Sequence, residues 1–203
     1  MKNTIRTKED IIREYRNARS EETRTVLRNL FPEYSADLHM KPTLDDYQTI
    51  RSYEDACEAL GIEPFRFEES DIPSRLTALM ELETISAALC GKEWKPYPDP
   101  DGGEMMWWPW FRVYTKEEAF NLSPWKKKCT LNVIADDTGN DIYAFGYVDS
   151  AHVNSRTNAH LNYRLAQETE EKAKYFGRTF VKLWAEYLQY GFSTGEYLSS
   201  IML

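Results

Sequence analysis

The sequence predicts an α+β protein: helices first, then a small, mostly antiparallel sheet packed by a long C-terminal helix. Three observations predict it. Apolar residues recur at helical spacing as far as about residue 92, and the period turns to two beyond the break "KPYPDPDGG" at residues 95–103. Two strand-like runs, "CTLNVIA" and "IYAFGYV", flank "DDTGND", a turn too short for a parallel crossover. The segment from about Glu168 to Tyr190 sets Phe176, Phe180, Leu183, Trp184 and Tyr187 along one helical side. Helices segregated from strands in this way define the class. The 203 residues fit one domain, with 1–92 mainly helical, 93–103 a connection and 104–203 the sheet and its helix.

Each element has its own signal. Thr7, with Asp10 three positions on, opens "KEDIIREYR" as a weak capping box. Ser20 opens "EETRTVLRNLF", where Val26, Leu27, Leu30 and Phe31 mark one face before Pro32. In "SYEDACEALGIEP" Ser52 caps, Asp55 answers, Gly61 supplies a left-handed stop and Pro64 prevents continuation. A longer helix is expected from about Ile72 to Cys90, with Pro73 in its first turn, Gly91 after its end, and a stripe of Leu76, Leu79, Leu82, Ile85 and Leu89. In the sheet half, "WFRVY" alternates, and Tyr143, Phe145 and Tyr147 share one face opposite Ala144, Gly146 and Val148. "HLNYRL", residues 160–165, reads as a fourth strand. Gly177 costs the last helix roughly 1 kcal/mol against alanine, which implies a close backbone neighbour. The expectation is that this helix buries Phe176, Phe180 and Trp184 against the sheet.

Composition narrows the function classes. The net charge is −8, and residues 1–105 hold 14 Lys+Arg against 22 Asp+Glu while residues 106–203 hold 11 of each. An acidic chain repels a phosphate backbone at long range, yet its neutral half leaves room for a local basic strip around the last helix. No apolar run approaches the roughly 20 residues of a membrane span, and "MKNTIRTKEDIIREYR" has no secretory h-region, so a location in the cytoplasm of the cell that makes it is expected. Cys57, Cys90 and Cys129 are odd in number and widely spaced, as for reduced thiols. No disulfide, metal or cofactor is expected.

Few residues look like chemistry. "MMWWPWFRVY" concentrates aromatics; as a strand it sends Trp108 and Trp110 one way and Trp107, Pro109 and Phe111 the other, with Pro109 demanding an edge. Sheet aromatics of this kind stack bases, but beneath an aromatic helix they form a core. The reading adopted is core, with at most one tryptophan partly exposed. Trp107, Trp108 and Trp110, together with Arg156 and His160, are the candidate binding residues. "DPDGGE" lacks the later glutamate of a calcium loop. His152, Arg156 and His160 share a polar stretch, and no nucleophile motif accompanies them, so no catalytic residue is assigned. "KKK" at 126–128 suits either a phosphate contact or protection of a sheet edge.

The strings "SYEDACEALGI", "LTALMELETISAAL", "EWKP", "WWPWF" and "EEKAKYFGRTFVKLW" occur in the order seen in a family of uncharacterised proteins encoded by phages and mobile elements of gut Bacteroidales. The chain resembles that family over roughly residues 20–190. Trp94, Pro96, Trp107, Trp108, Pro109, Trp110 and Phe111 match its central signature, whereas "HLNYRL" departs from the compact "R-L-x-F" strand found there. The resemblance implies a phage or prophage accessory protein made inside a bacterium and supplies no catalytic residues. The resulting expectation is a non-enzymatic protein that binds a macromolecular partner, a protein first. The alternatives are single-strand nucleic-acid binding through sheet aromatics and a basic strip, or an enzyme using His152 and His160.

Overall fold

A computed structural model describes residues 11, 14–15, 21–34, 41–65, 73–97, 105–154, 163–188 and 191–201. It shows α+β architecture. The helices are α1 (Glu21–Leu30), α2 (Tyr53–Leu60), α3 (Ser74–Cys90), α4 (Lys116–Phe120), α5 (Pro124–Lys127), α6 (Glu170–Thr179), α7 (Val181–Leu188) and α8 (Leu198–Ile201). The strands are β1 (Met105–Tyr114), β2 (Thr130–Asp136), β3 (Ala144–Asn154) and β4 (Phe192–Tyr197), paired antiparallel in the order β1-β3-β2-β4. The Thr7 and Ser20 signals lie outside the described residues.

The helical half is built as its caps dictate. Ser52 accepts the Asp55 N–H at 3.0 Å, and Gly61 takes the left-handed conformation (φ 69°) that a Cβ would strain. Asp55 turns back to accept the Arg51 N–H at 3.0 Å. Among the described side chains of α1 only Leu27 is buried; Val26 and Leu30 are exposed, so the expected four-residue face is narrower. On α3 the stripe holds for Leu82, Ile85 and Leu89, while Leu76 is exposed on the first turn.

The C-terminal helix is two helices. Phe180 leaves helical dihedrals (φ −110°, ψ 26°) between α6 and α7, but its N–H still reaches Phe176 O at 3.3 Å. Together α6 and α7 lie between the sheet and α3, and α2 packs against α3. The main core joins Ile50, Leu82, Ile85 and Leu89 to Leu165, Phe176, Phe180 and Trp184. The expected burial of the aromatic stripe is observed, with Phe176, Phe180 and Trp184 all buried.

The opposite sheet face is closed by small elements. Tyr114, Ala119, Ala144 and Leu198 form its centre, with Leu122, Tyr143 and Val148 around them. Tyr143 thus packs with Ala144 rather than sharing a face with Phe145 and Tyr147, because β3 begins one residue after it. The fourth strand is β4, after α7. Where "HLNYRL" suggested a strand, Tyr163–Leu165 forms a 3-10 turn. Residues 160–162 lie outside the described ones. Gln167 supplies a single bridge to Trp107 instead.

Gly177 is explained by side chains, not by a passing backbone. A Cβ there would lie 2.6 Å from Pro109 Cβ and 2.7 Å from Tyr147 Cε2, so the glycine lets α6 seat on the sheet. Gly177→Ala gains roughly 1 kcal/mol in helix propensity but overpacks this contact by about 3 kcal/mol. The expected net result is a loss of about 2 kcal/mol in urea unfolding. A more stable variant would mean that α6 can shift freely off Pro109.

Candidate functional site

The tryptophan run becomes β1, an edge strand, which accommodates the missing N–H of Pro109. The register runs from Met105 opposite Asn154 to Trp110 opposite Asp149, then shifts so that Phe111 faces Tyr147. The extra residue on β3, Val148, makes this a bulge. Pro109 is buried, whereas Phe111 stacks on Phe145 at 5.3 Å and meets Trp184 at 5.1 Å. Trp107 exchanges backbone bonds with Gln167 (3.0 and 2.8 Å) and sets its indole 4.4 Å from the His152 ring. Trp108 packs against the helical core.

Exposure divides the run unequally. Trp107 and Trp108 are half-buried and Trp110 is 59% exposed. The expectation of at most one partly exposed tryptophan is therefore exceeded. The edge position leaves β1 without a strand over most of its outer side. Met105 and Val113 are exposed as well, five residues before and three after Trp110 on the same strand.

A shallow concavity of about 340 Å³ lies between β1, α4 and α5. Arg112, Tyr114, Glu118, Leu122, Lys126 and Val148 are among its walls. A full capping box at Thr115 builds the α4 side, with Thr115 and Glu118 each bonding the other's backbone. The Thr115 N–H holds the Glu118 carboxyl below its usual range, and Arg112, ion-paired to it, adds to this. Burial pushes the Tyr114 phenol up. The Arg112 guanidinium also lies 5.5 Å from the Tyr114 ring centre. Arg112 and Glu118 thus neutralise each other.

The other candidate residues do not gather there. His152 is exposed against Trp107, while Arg156 and His160 lie outside the described residues, as do His39 and the "DPDGGE" carboxylates. Among the described residues no group of three His, Cys, Asp or Glu side chains could hold a metal ion. The cysteines are free thiols, Cys57 and Cys90 buried and Cys129 half-buried. Burial raises the Cys90 thiol to about 12. No helix among the described residues is long and apolar enough to cross a membrane.

At the centre of the sheet the aromatics form core, as the adopted reading expects, and not the alternative base-stacking platform. Phe145 and Tyr147 are only 4% and 2% exposed beneath α6 and α7, so no base can reach their rings. Comparison with protein-family models, with curated proteins and with solved structures finds no match for this chain.

Proposed function

We propose that this chain is a non-enzymatic phage or prophage accessory protein that binds a macromolecular partner, a protein first, through the outer surface of β1. The observation that carries the reading is Trp110, 59% exposed on an edge strand. Tryptophan is enriched among the few residues that dominate binding energy at protein interfaces. The Arg112–Glu118 pair, its arginine two residues further along the strand, supplies a polar rim. The phage setting rests on the family resemblance of the tryptophan run and the flanking helices.

Trp110→Ala tests the reading. Because the side chain is exposed, stability should change by no more than about 0.5 kcal/mol. Affinity for a partner isolated with the tagged chain from infected host cells should fall roughly 30-fold or more, the effect of about 2 kcal/mol at an interface centre. If the variant keeps its partner, or unfolds several degrees earlier, Trp110 is a structural residue and the reading fails.

A further inference from the structure

We propose that a second surface, separate from β1, binds single-stranded nucleic acid. Trp125 stacks on a base while Lys127, Lys128, Arg178 and Lys182 receive the phosphates. It is independent of the Trp110 reading.

The surface is assembled from two distant parts of the chain. Between Glu118 and Asp136 the sequence carries three lysines and no acid, and these lysines directly follow Trp125. Pro124 opens α5, and the turn closes when Lys128 N–H reaches Trp125 O at 3.2 Å and Cys129 N–H reaches Lys126 O at 2.9 Å. Trp125 is left 49% exposed, with the Lys126 ammonium 5.8 Å from its ring centre. The second part is the α6–α7 junction. Arg178 lies 5.8 Å from the Tyr147 ring centre and Lys182 lies 5.2 Å from that of Tyr197.

Cys129 ties the two parts together. Arg178 and Lys128 both act electrostatically on its thiol, and its carbonyl accepts the Tyr147 N–H at 3.0 Å. Lys182 stands four residues beyond Arg178, over the Tyr197 ring. The counter-charge is partial. Glu196 stands 3.6 Å from Lys182, and the Asp149 and Glu170 carboxylates act on the Tyr147 phenol beneath Arg178, but among the described residues Lys127, Lys128 and Arg178 have no ion-pair partner.

Neighbouring cations only partly neutralised favour a polyanion that replaces their condensed counterions, which is the driving force of nucleic-acid binding. The lysines do not guard an edge of β2 itself, which is an interior strand. An exposed indole beside the cations favours a single strand over an acidic peptide or a duplex, because only an unpaired base presents its face. Cation–π contacts fix Arg178 and Lys182 over their rings and reduce the side-chain entropy lost on binding.

The test is titration of the full chain with a labelled oligothymidylate at several salt concentrations. With three or four phosphates neutralised, log K should fall with log salt at a slope of roughly −2 to −3. Arg178→Ala should flatten that slope by about 0.7, and Arg178→Lys should restore it. Trp125→Ala should weaken binding roughly tenfold at every salt concentration without altering the slope. Trp110→Ala and Lys41→Ala should leave binding intact, and melting curves would identify any variant that fails to fold. Absence of binding at low salt overturns the proposal, as does binding indifferent to Trp125→Ala and Arg178→Ala. Equal competition by polyglutamate, with Trp125→Ala silent, would overturn it in favour of an acidic protein ligand.

Discussion

Phe176→Ala is expected to lower the unfolding free energy by about 4 kcal/mol. The ring is fully buried where the layers meet, edge-on to Trp184 at 5.0 Å and to Phe180 at 5.9 Å. Its removal forfeits the transfer free energy and leaves a cavity between α3 and the α6–α7 pair. Neither side can close it easily. Gly177 holds α6 against Pro109 and Tyr147, and α3 is fixed by its own packing on α7. For a chain of this length the melting temperature should drop by roughly 8–16 °C. Phe176→Leu should recover more than half of the loss. A deficit under about 1 kcal/mol would mean that the helical layer does not depend on the aromatic stripe.

The stripe was legible because burial on a helix leaves a 3.6-residue period, and strands under a helix leave a period of two. The same logic explains what stayed hidden. "FSTGEY" makes β4 with small and polar residues, and its burial is intermediate at all but Glu196, so no alternation marks it. The interruption at Phe180 preserves the helical hydrogen bonds on both sides, and the apolar spacing runs through it unbroken. Val26 and Leu30 fit the face of α1 by spacing alone. Periodicity shows which residues are able to face a core, while burial depends on how much core there is to cover them.

At the candidate site, period-two alternation assigned directions along β1 but not exposure. Pro109 is buried because Gly177 admits it, a contact between residues 68 positions apart. Trp110 is exposed because β1 is at the edge, which follows from strand order, and strand order is not written in local sequence. Pro109 was the one residue that pointed to an edge. For Trp125 the available signal was an aromatic preceding three lysines, visible in "PWKKK", whereas its partners Arg178 and Lys182 could only be joined to it by folding.

Arg24→Ala is expected to cost about 3 kcal/mol at neutral pH and much less in mild acid. Arg24 donates to Asp55 Oδ1 at 3.3 Å and to Ser52 Oγ at 2.9 Å, and the side chains of the ion pair are only 13% and 12% exposed. Burial is the largest influence on Asp55 and raises its pKa above 3.8; Arg24 works against that rise. A carboxyl with a raised folded pKa is costly when ionised, so its penalty applies at neutral pH and is relieved as pH falls through the folded value. Without Arg24 the folded value climbs further. The deficit between variant and parent should therefore be full at neutral pH and shrink on acidification, once Asp55 takes up a proton and needs no cation. Asp55→Asn in the Arg24→Ala background should recover part of the loss, since its amide oxygen still accepts the Arg51 N–H without charge. Urea unfolding at neutral and mildly acidic pH makes the measurement. A deficit of equal size at both would show that Arg24 joins α1 to α2 by packing alone, with the charge on Asp55 incidental.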